Sequence, residues 1–219
     1  MKKKLLGYVI FFVVLTIAFL YFVFRGTDQW KTRLPVVSYV KPFTFTNQDG
    51  KQVTEQDLQG KVAVVEYFFT TCKGICPKMN TSMQKIYSTY KDEEDFLILA
   101  HTVEPENDSL ARLRFYADSM NIDTKKWMLL TGRKDSLYNA ARVSYLLDDP
   151  KNNLQKLEDQ FIHTQFFALV DKNGQVRGGV YDALKKDEME KLSKDIKGLL
   201  KEKMGPSGFV NSVFSNNPQ

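Results

Sequence analysis

The only two cysteines in the chain, Cys72 and Cys76, stand with three residues between them where an apolar strand gives way to a helix. The strand ends in Tyr67-Phe68-Phe69, and the helix is readable from Met79, Met83, Ile86, Tyr87 and Tyr90, which recur at helical spacing. Pro77 fits the first turn of that helix, because its missing N–H would have had no partner there. The other N–H groups of the turn are unpaired, and with the positive end of the helix dipole they favour thiolate over thiol. Such a junction is a place to hold a soft metal ion or to make a disulfide. Two closely spaced cysteines and no others read as a working pair, the plainer alternative being a stapling disulfide in an inert domain.

The stretch before the cysteines, residues 62–69, is nearly continuous in β-branched and aromatic residues and suits a strand buried on both faces. Glu66 in its middle is the exception. It is expected to be exposed on a sheet edge; buried, it would need a partner or a raised pKa. Residues 96–103 form a second such strand, and Asp108 or Ser109 then caps a helix carrying Leu110, Leu113, Tyr116, Ala117 and Met120. Residues 127–130 read as a third strand, followed by a helix to about Tyr145 and a charged, Asn-rich surface loop over 146–160. Residues 166–170 are the fourth core strand, which Asn173-Gly174 turns into residues 176–181. An amphipathic helix over 185–203 closes the domain, with Met189, Leu192, Ile196, Leu199 and Leu200 on its apolar side.

Upstream, Phe43-Thr44-Phe45-Thr46 alternates into the turn residues Asn47 to Lys51, a hairpin signal. Thr54 then caps a short helical turn with Asp57 as the box residue. The alternation of strand and helix predicts an α/β domain with a central sheet flanked by helices and an added N-terminal hairpin. With a dithiol at a strand-to-helix junction, the expected fold is thioredoxin-like.

Residues 5–24 carry no charge, and as a helix at about 1.5 Å per residue they would be roughly 30 Å long, enough to cross a bilayer core. Phe22-Val23-Phe24-Arg25 offers no small-residue cleavage site, so the segment is expected to stay as an uncleaved single-pass anchor. The expected organisation is an anchor over 1–25, a tether over 26–41, the domain over 42–204 and a tail of disordered composition over 205–219. Lys2, Lys3 and Lys4 precede the span while Arg25, Lys31, Arg33 and Lys41 follow it, so the charge count leaves the orientation open. The usual single-anchor arrangement exports the large domain. It would then lie on the periplasmic or extracytoplasmic side of the cytoplasmic membrane, where the cysteines meet oxidants and metal. The formal charge of +5 is scattered among acids with no basic stripe, which argues against a nucleic-acid partner.

Two histidines remain. His163 lies immediately before the fourth core strand, and in a thioredoxin-like sheet the loop before that strand lies against the dithiol. Two thiolates and one imidazole suit Cu(I) or Cu(II) better than calcium or magnesium. Zinc would accept the same set but normally takes a fourth ligand. A histidine satisfied in the core or at the surface is the plainer alternative. His101, just before Glu104, is read as structural, a transient role near a metal being the alternative.

Cys72-x-x-x-Cys76-Pro77 together with His163 closely resembles the SCO/SenC proteins, membrane-anchored copper proteins of thioredoxin fold that help assemble the CuA centre of cytochrome c oxidase. Gly60-Lys61, Val103 to Ser109, Leu130-Thr131-Gly132 and Leu169 to Gly174 agree as well, in the right order from about Phe43 to Leu200. The resemblance implies one copper ion per chain, held by Cys72, Cys76 and His163. It also implies delivery to the copper-binding subunit of the oxidase or to another copper carrier. The departures are Lys73 and Gly74, where the family commonly has proline and an acid, and Glu104-Pro105-Glu106-Asn107-Asp108-Ser109 in place of Asp-Pro-Glu-Arg-Asp-Thr. Lys73 makes the site less hospitable to a cation and more favourable to thiolates. The alternative function is therefore a thiol–disulfide reductase that keeps the oxidase's copper-site cysteines reduced. In that reading Cys72 and Cys76 are the redox pair, Cys72 in the loop is favoured as the attacking thiol, and His163 is an accessory. The chain is not read as a conventional enzyme beyond such oxidoreductase activity.

Overall fold

The computed structural model describes residues 2–24, 34–148 and 164–204. The first of these segments is one helix, α1 (Lys2–Phe24), whose window Lys4–Phe22 has a mean hydropathy of 2.6. Over Lys4–Phe22 its apolar side chains lie all round the helix and are exposed, as a helix surrounded by hydrocarbon requires. It is the membrane anchor. The soluble domain is a separate unit beginning at Pro35.

The domain is built on eight strands: β1 (Val36–Tyr39), β2 (Thr44–Asn47), β3 (Gln52–Thr54), β4 (Val62–Phe68), β5 (Phe96–Thr102), β6 (Trp127–Thr131), β7 (Phe166–Val170) and β8 (Gln175–Asp182). They form one mixed sheet in the order β1-β8-β7-β4-β5-β6-β2-β3. β4 pairs in parallel with β5 and antiparallel with β7, so it has a neighbour on each side. Every residue of β4 and β5 is buried, which explains their continuous apolar sequence. The expectation that Glu66 is exposed on an edge is overturned, because β4 is central and covered on both faces; Glu66 is 1% exposed.

The helices are α2 (Cys76–Tyr90), α3 (Leu110–Ser119), α4 (Lys134–Asn139), which continues into a π-helical turn at Ala140–Ser144, and α5 (Lys186–Lys201). α2 buries Met79, Met83, Ile86, Tyr87 and Tyr90, the stripe read from the sequence. Its rings contact Trp127 from Tyr87 and Phe96 from Tyr90, and Tyr116 of α3 stacks on Phe68. α2 and α3 therefore share one face of the sheet, with α5 joined to α2 where the Tyr90 hydroxyl donates to Ser193 O at 2.6 Å. The opposite face packs Val65, Tyr67, Leu99 and Leu130 against Leu137, Tyr138 and Tyr145. Fully burying a side chain of this size stabilises the fold by about 1.5–3 kcal/mol.

The N-terminal hairpin forms as expected. Asn47 Oδ1 accepts from the N–H groups of Asp49 and Lys51 at 3.0 and 2.9 Å, which closes the β2–β3 turn. β2 then extends the sheet beyond β6, where Gln48 Oε1 takes the Leu129 N–H at 2.8 Å. Gly132 lets Phe45 lie against the chain, since a Cβ there would sit 2.8 Å from its ring. Asp57 accepts from the N–H and hydroxyl of Thr54 at 2.7 and 3.1 Å, the box role read for it.

The reading of 26–41 as a tether is corrected over its second half, where β1 pairs antiparallel with β8. An edge strand held by backbone bonds, with Val36, Val37 and Tyr39 all exposed, leaves no alternation in the sequence. The rest of the expected tether, residues 26–33, lies outside the described residues, as do the tail 205–219 and loop positions 149–160.

Candidate functional site

The dithiol is presented by a tight turn followed at once by α2. The Cys72 N–H returns to Phe69 O at 3.2 Å, which folds the chain over Thr70 and Thr71. Pro77, the second helical residue, has no N–H, while those of Lys78 and Met79 both return to Ile75 O at 3.0 Å. The Cys76 N–H is left free of the helix, and it donates to Cys72 Sγ at 3.4 Å. Both cysteines are free thiols, Cys72 half-buried and Cys76 buried.

The two sulfurs differ sharply. Burial alone would raise the Cys72 pKa, but hydrogen bonds from the Cys76 thiol and from the N–H groups of Cys76, Gly74 and Ile75 outweigh it and hold Cys72 below the usual thiol range. Burial pushes Cys76 up to about 12, helped by its hydrogen bond to Cys72 and by the charges of Cys72 and Glu66. Cys72 is thus the sulfur that ionises first and meets solvent. A half-buried sulfur whose ionisation is favoured, with a second sulfur beside it, is a soft donor pair that suits a soft metal ion such as copper.

Glu66 sits beneath this pair, on the α2 face of β4. Burial pushes its carboxyl up to about 8. The indole N–H of Trp127 is near enough to offset this in part, but it does not reach hydrogen-bond geometry, and Glu66 Oε2 has no hydrogen-bond partner among the described residues. Tyr116 feels the same carboxylate, and burial first and that charge second push its phenol up to about 12, while its oxygen accepts from Asn80 Nδ2 at 2.6 Å.

Asp108 was one of two cap candidates. Ser109 takes the cap, accepting from the Arg112 N–H at 3.4 Å. The Asp108 carboxylate instead reaches the cysteine loop, accepting from Thr70 and Thr102. The sequence carried only part of the signal: two adjacent cap-type residues cannot both cap one helix, so one of them was free for another role.

His101 is fully buried and lies on the other face of the sheet, against Tyr67 (ring centroids 5.1 Å apart), Phe45 (5.3 Å) and Tyr145 (5.4 Å). Neither ring nitrogen has a hydrogen-bond partner, and burial pushes its pKa down to about 3. It is a core residue. The structure brings Cys72 and Cys76 together, whereas His163 lies outside the described residues. Among the described residues no three His, Cys, Asp or Glu side chains gather as a metal-binding group.

Known proteins match this arrangement over most of its length. The family model described as SCO1/SenC matches residues 32–201. The SCO1 protein homolog of Bacillus subtilis (strain 168) is 33% identical over 183 residues, covering 82% of this chain and 91% of that protein. The solved structure of BsSco, described as a member of the Sco family of cytochrome c oxidase assembly proteins with a disulfide switch, is 30% identical. It superposes with a TM-score of 0.65 over 79% of this chain and 100% of that one. ScoI of Bradyrhizobium japonicum, solved with copper bound, is 22% identical with a TM-score of 0.56, covering 74% of this chain and 100% of that one, and shares the fold. The central sheet with its flanking helices is the thioredoxin-like fold of these proteins.

Proposed function

The chain belongs to the SCO1/SenC family, and on that premise we propose that it is a membrane-anchored metallochaperone that delivers copper to, and helps mature, the CuA centre of cytochrome c oxidase. Copper is its cargo, one ion per chain, held by Cys72, Cys76 and His163. The observation that carries this reading is the pair of unequal sulfurs at the start of α2, with Cys72 half-exposed and favoured as thiolate. An accessible soft ligand can be exchanged for a ligand of the recipient, while the buried Cys76 is the last to let go. Copper then moves without being released to solvent. The recipient is the copper-binding subunit of the oxidase or another copper carrier.

A second reading keeps its place because of the same asymmetry. A thiol with a lowered pKa attacks a disulfide, and a buried neighbour with a pKa near 12 resolves the mixed disulfide once the two sulfurs meet. In that reading the protein reduces the copper-site cysteines of the oxidase, and His163 is dispensable.

His163 separates the two. Full-length protein in detergent, reduced and loaded with copper, should bind one ion per chain and lose it in His163→Ala and in Cys72→Ser. In cells His163→Ala should abolish oxidase assembly nearly as fully as loss of either cysteine, while its dithiol still oxidises and reduces reversibly. Near-normal oxidase activity with His163→Ala would reject copper delivery and leave the reductase.

A further inference from the structure

Asp108 is fully buried, and its carboxylate is met by donors from two other segments. Thr70, two residues before Cys72, gives it a short hydrogen bond from its hydroxyl and a second from its N–H, at 3.3 Å to Oδ2 and 3.4 Å to Oδ1. Thr102, the last residue of β5, donates its hydroxyl to Oδ2 at 2.5 Å. That hydroxyl also accepts the Glu104 N–H at 3.0 Å, so it ties Asp108 to the start of the loop that follows β5. Thr70 forms the corner of the turn closed between Cys72 and Phe69. This turn presents Cys72 Sγ to the Cys76 N–H. A weaker tie joins the same two loops, from the Thr71 hydroxyl to Glu104 Oε2 at 3.4 Å.

We propose that Asp108 is a positioning residue for the dithiol: it latches the Cys72 turn to the loop between β5 and α3, and so fixes Cys72 Sγ within reach of Cys76. The proposal rests on Cys72 and Cys76 being the working pair, which both functional readings share. Ordering a loop costs conformational entropy, and a reaction between two side chains is faster and more favourable when that ordering is already done. The latch does this from outside the loop. Ser109 takes the capping role that would otherwise account for an acid at this position.

The test reads the effective concentration of Cys76 at Cys72. Full-length, metal-free protein in detergent is equilibrated with a mixture of reduced and oxidised glutathione. The Cys76 thiol attacks Cys72 Sγ in its mixed disulfide with glutathione. The Cys72–glutathione S–S bond breaks, the Cys72–Cys76 bond forms, and reduced glutathione leaves with the proton from Cys76. Thr70→Val removes the hydroxyl donor at nearly constant shape and should lower the ratio of internal to mixed disulfide by about fivefold or more. Thr70→Ser, which keeps the hydroxyl, should stay within about twofold of the native ratio. Asp108→Asn should fall as Thr70→Val does, and the double variant should fall no further than either, as two ends of one contact require. A native ratio in both Thr70→Val and Asp108→Asn, with only the melting temperature lowered, would overturn the proposal. Should Asp108→Asn fail to fold, the Thr70→Val and Thr70→Ser pair decides by the same ratio. The measurement needs no copper, so a native protein that binds none would sink the metallochaperone reading and leave this test intact.

Discussion

Glu66 of β4 and His101 of β5 are titratable side chains buried on opposite faces of the central sheet, and the two are wired differently. Glu66 of β4 is in register with Ala100, and Tyr67 with His101 of β5, so the pleat sends Glu66 to the α2 side and His101 to the other. Both are buried, and both keep a polar atom without a hydrogen-bond partner. The Glu66 charge is felt at Cys76 and at Tyr116. His101 is ringed by Phe43, Phe45, Tyr67 and Tyr145, and burial is the only cause of its shift. A buried polar orphan is therefore not by itself a functional residue. What distinguishes Glu66 is that reactive neighbours sense its charge.

The sharpest way to break this comparison is pH. The folded chain keeps the Glu66 proton up to about pH 8, whereas the unfolded chain gives it up near the usual 4.5. Stability from this group is full below 4.5 and is lost as pH rises to 8, by on the order of 5 kcal/mol in all. Glu66→Gln should recover several kcal/mol at pH 8 and flatten the alkaline side of the profile, as measured by chemical denaturation of the full chain in detergent. It should also let the Cys76 pKa fall, because a like charge has gone. An alkaline loss that persists unchanged in Glu66→Gln would remove Glu66 from the account.

His101 runs the other way. The unfolded chain protonates it below about 6.5, but the folded chain keeps it neutral to about 3, so its contribution is lost as pH falls through that window. At pH 4 the loss is about 3 kcal/mol, and His101→Phe should recover it. For these two groups the slopes cancel between 4.5 and 6.5, so the native profile should be flat there and fall on both sides. On the glutathione ratio His101→Phe should have no effect. A change in that ratio would join the two faces that the comparison separates.

How much of this was legible beforehand follows from where the information resides. The α2 stripe, the strand-to-helix junction and the succession of core strands along the chain depend on local periodicity and on turn residues, and all were readable; their order within the sheet was not. The place of Glu66 was not, because whether a strand is central or at an edge is decided by partners far away in sequence; β7, which covers β4, begins a hundred residues after Glu66. β1 escaped because an edge strand exposed on both faces has no burial pattern to write into its sequence. Asp108 was found as a residue but not in its role, which depends on Thr70 and Thr102 being brought to it by two parallel strands that end together. The inequality of the two sulfurs was half readable: the loop position marked Cys72 as the exposed one, but the helix N-terminus was read as favouring thiolate at both, and the burial that pushes Cys76 the other way needed the packed sheet.

The smallest expected effect contrasts one tyrosine from each face. Tyr116, on the dithiol side, accepts from Asn80 at 2.6 Å and stacks on Phe68 with ring centroids 5.5 Å apart. Tyr116→Phe keeps the stack and removes the acceptor, which leaves the Asn80 amide short of a partner and should cost about 1 kcal/mol. Tyr145, on the His101 side, buries a hydroxyl with no hydrogen-bond partner among the described residues. Tyr145→Phe removes that desolvated group at almost the same volume, so it should be neutral or stabilise by up to about 1 kcal/mol. Both are best measured near pH 5.5, where the slopes from Glu66 and His101 cancel and neither variant is read through a shifting titration. If Tyr145→Phe costs more than Tyr116→Phe, the aromatic face holds a hydrogen-bonded polar centre of its own, and the assignment of His101 to an inert core fails with it.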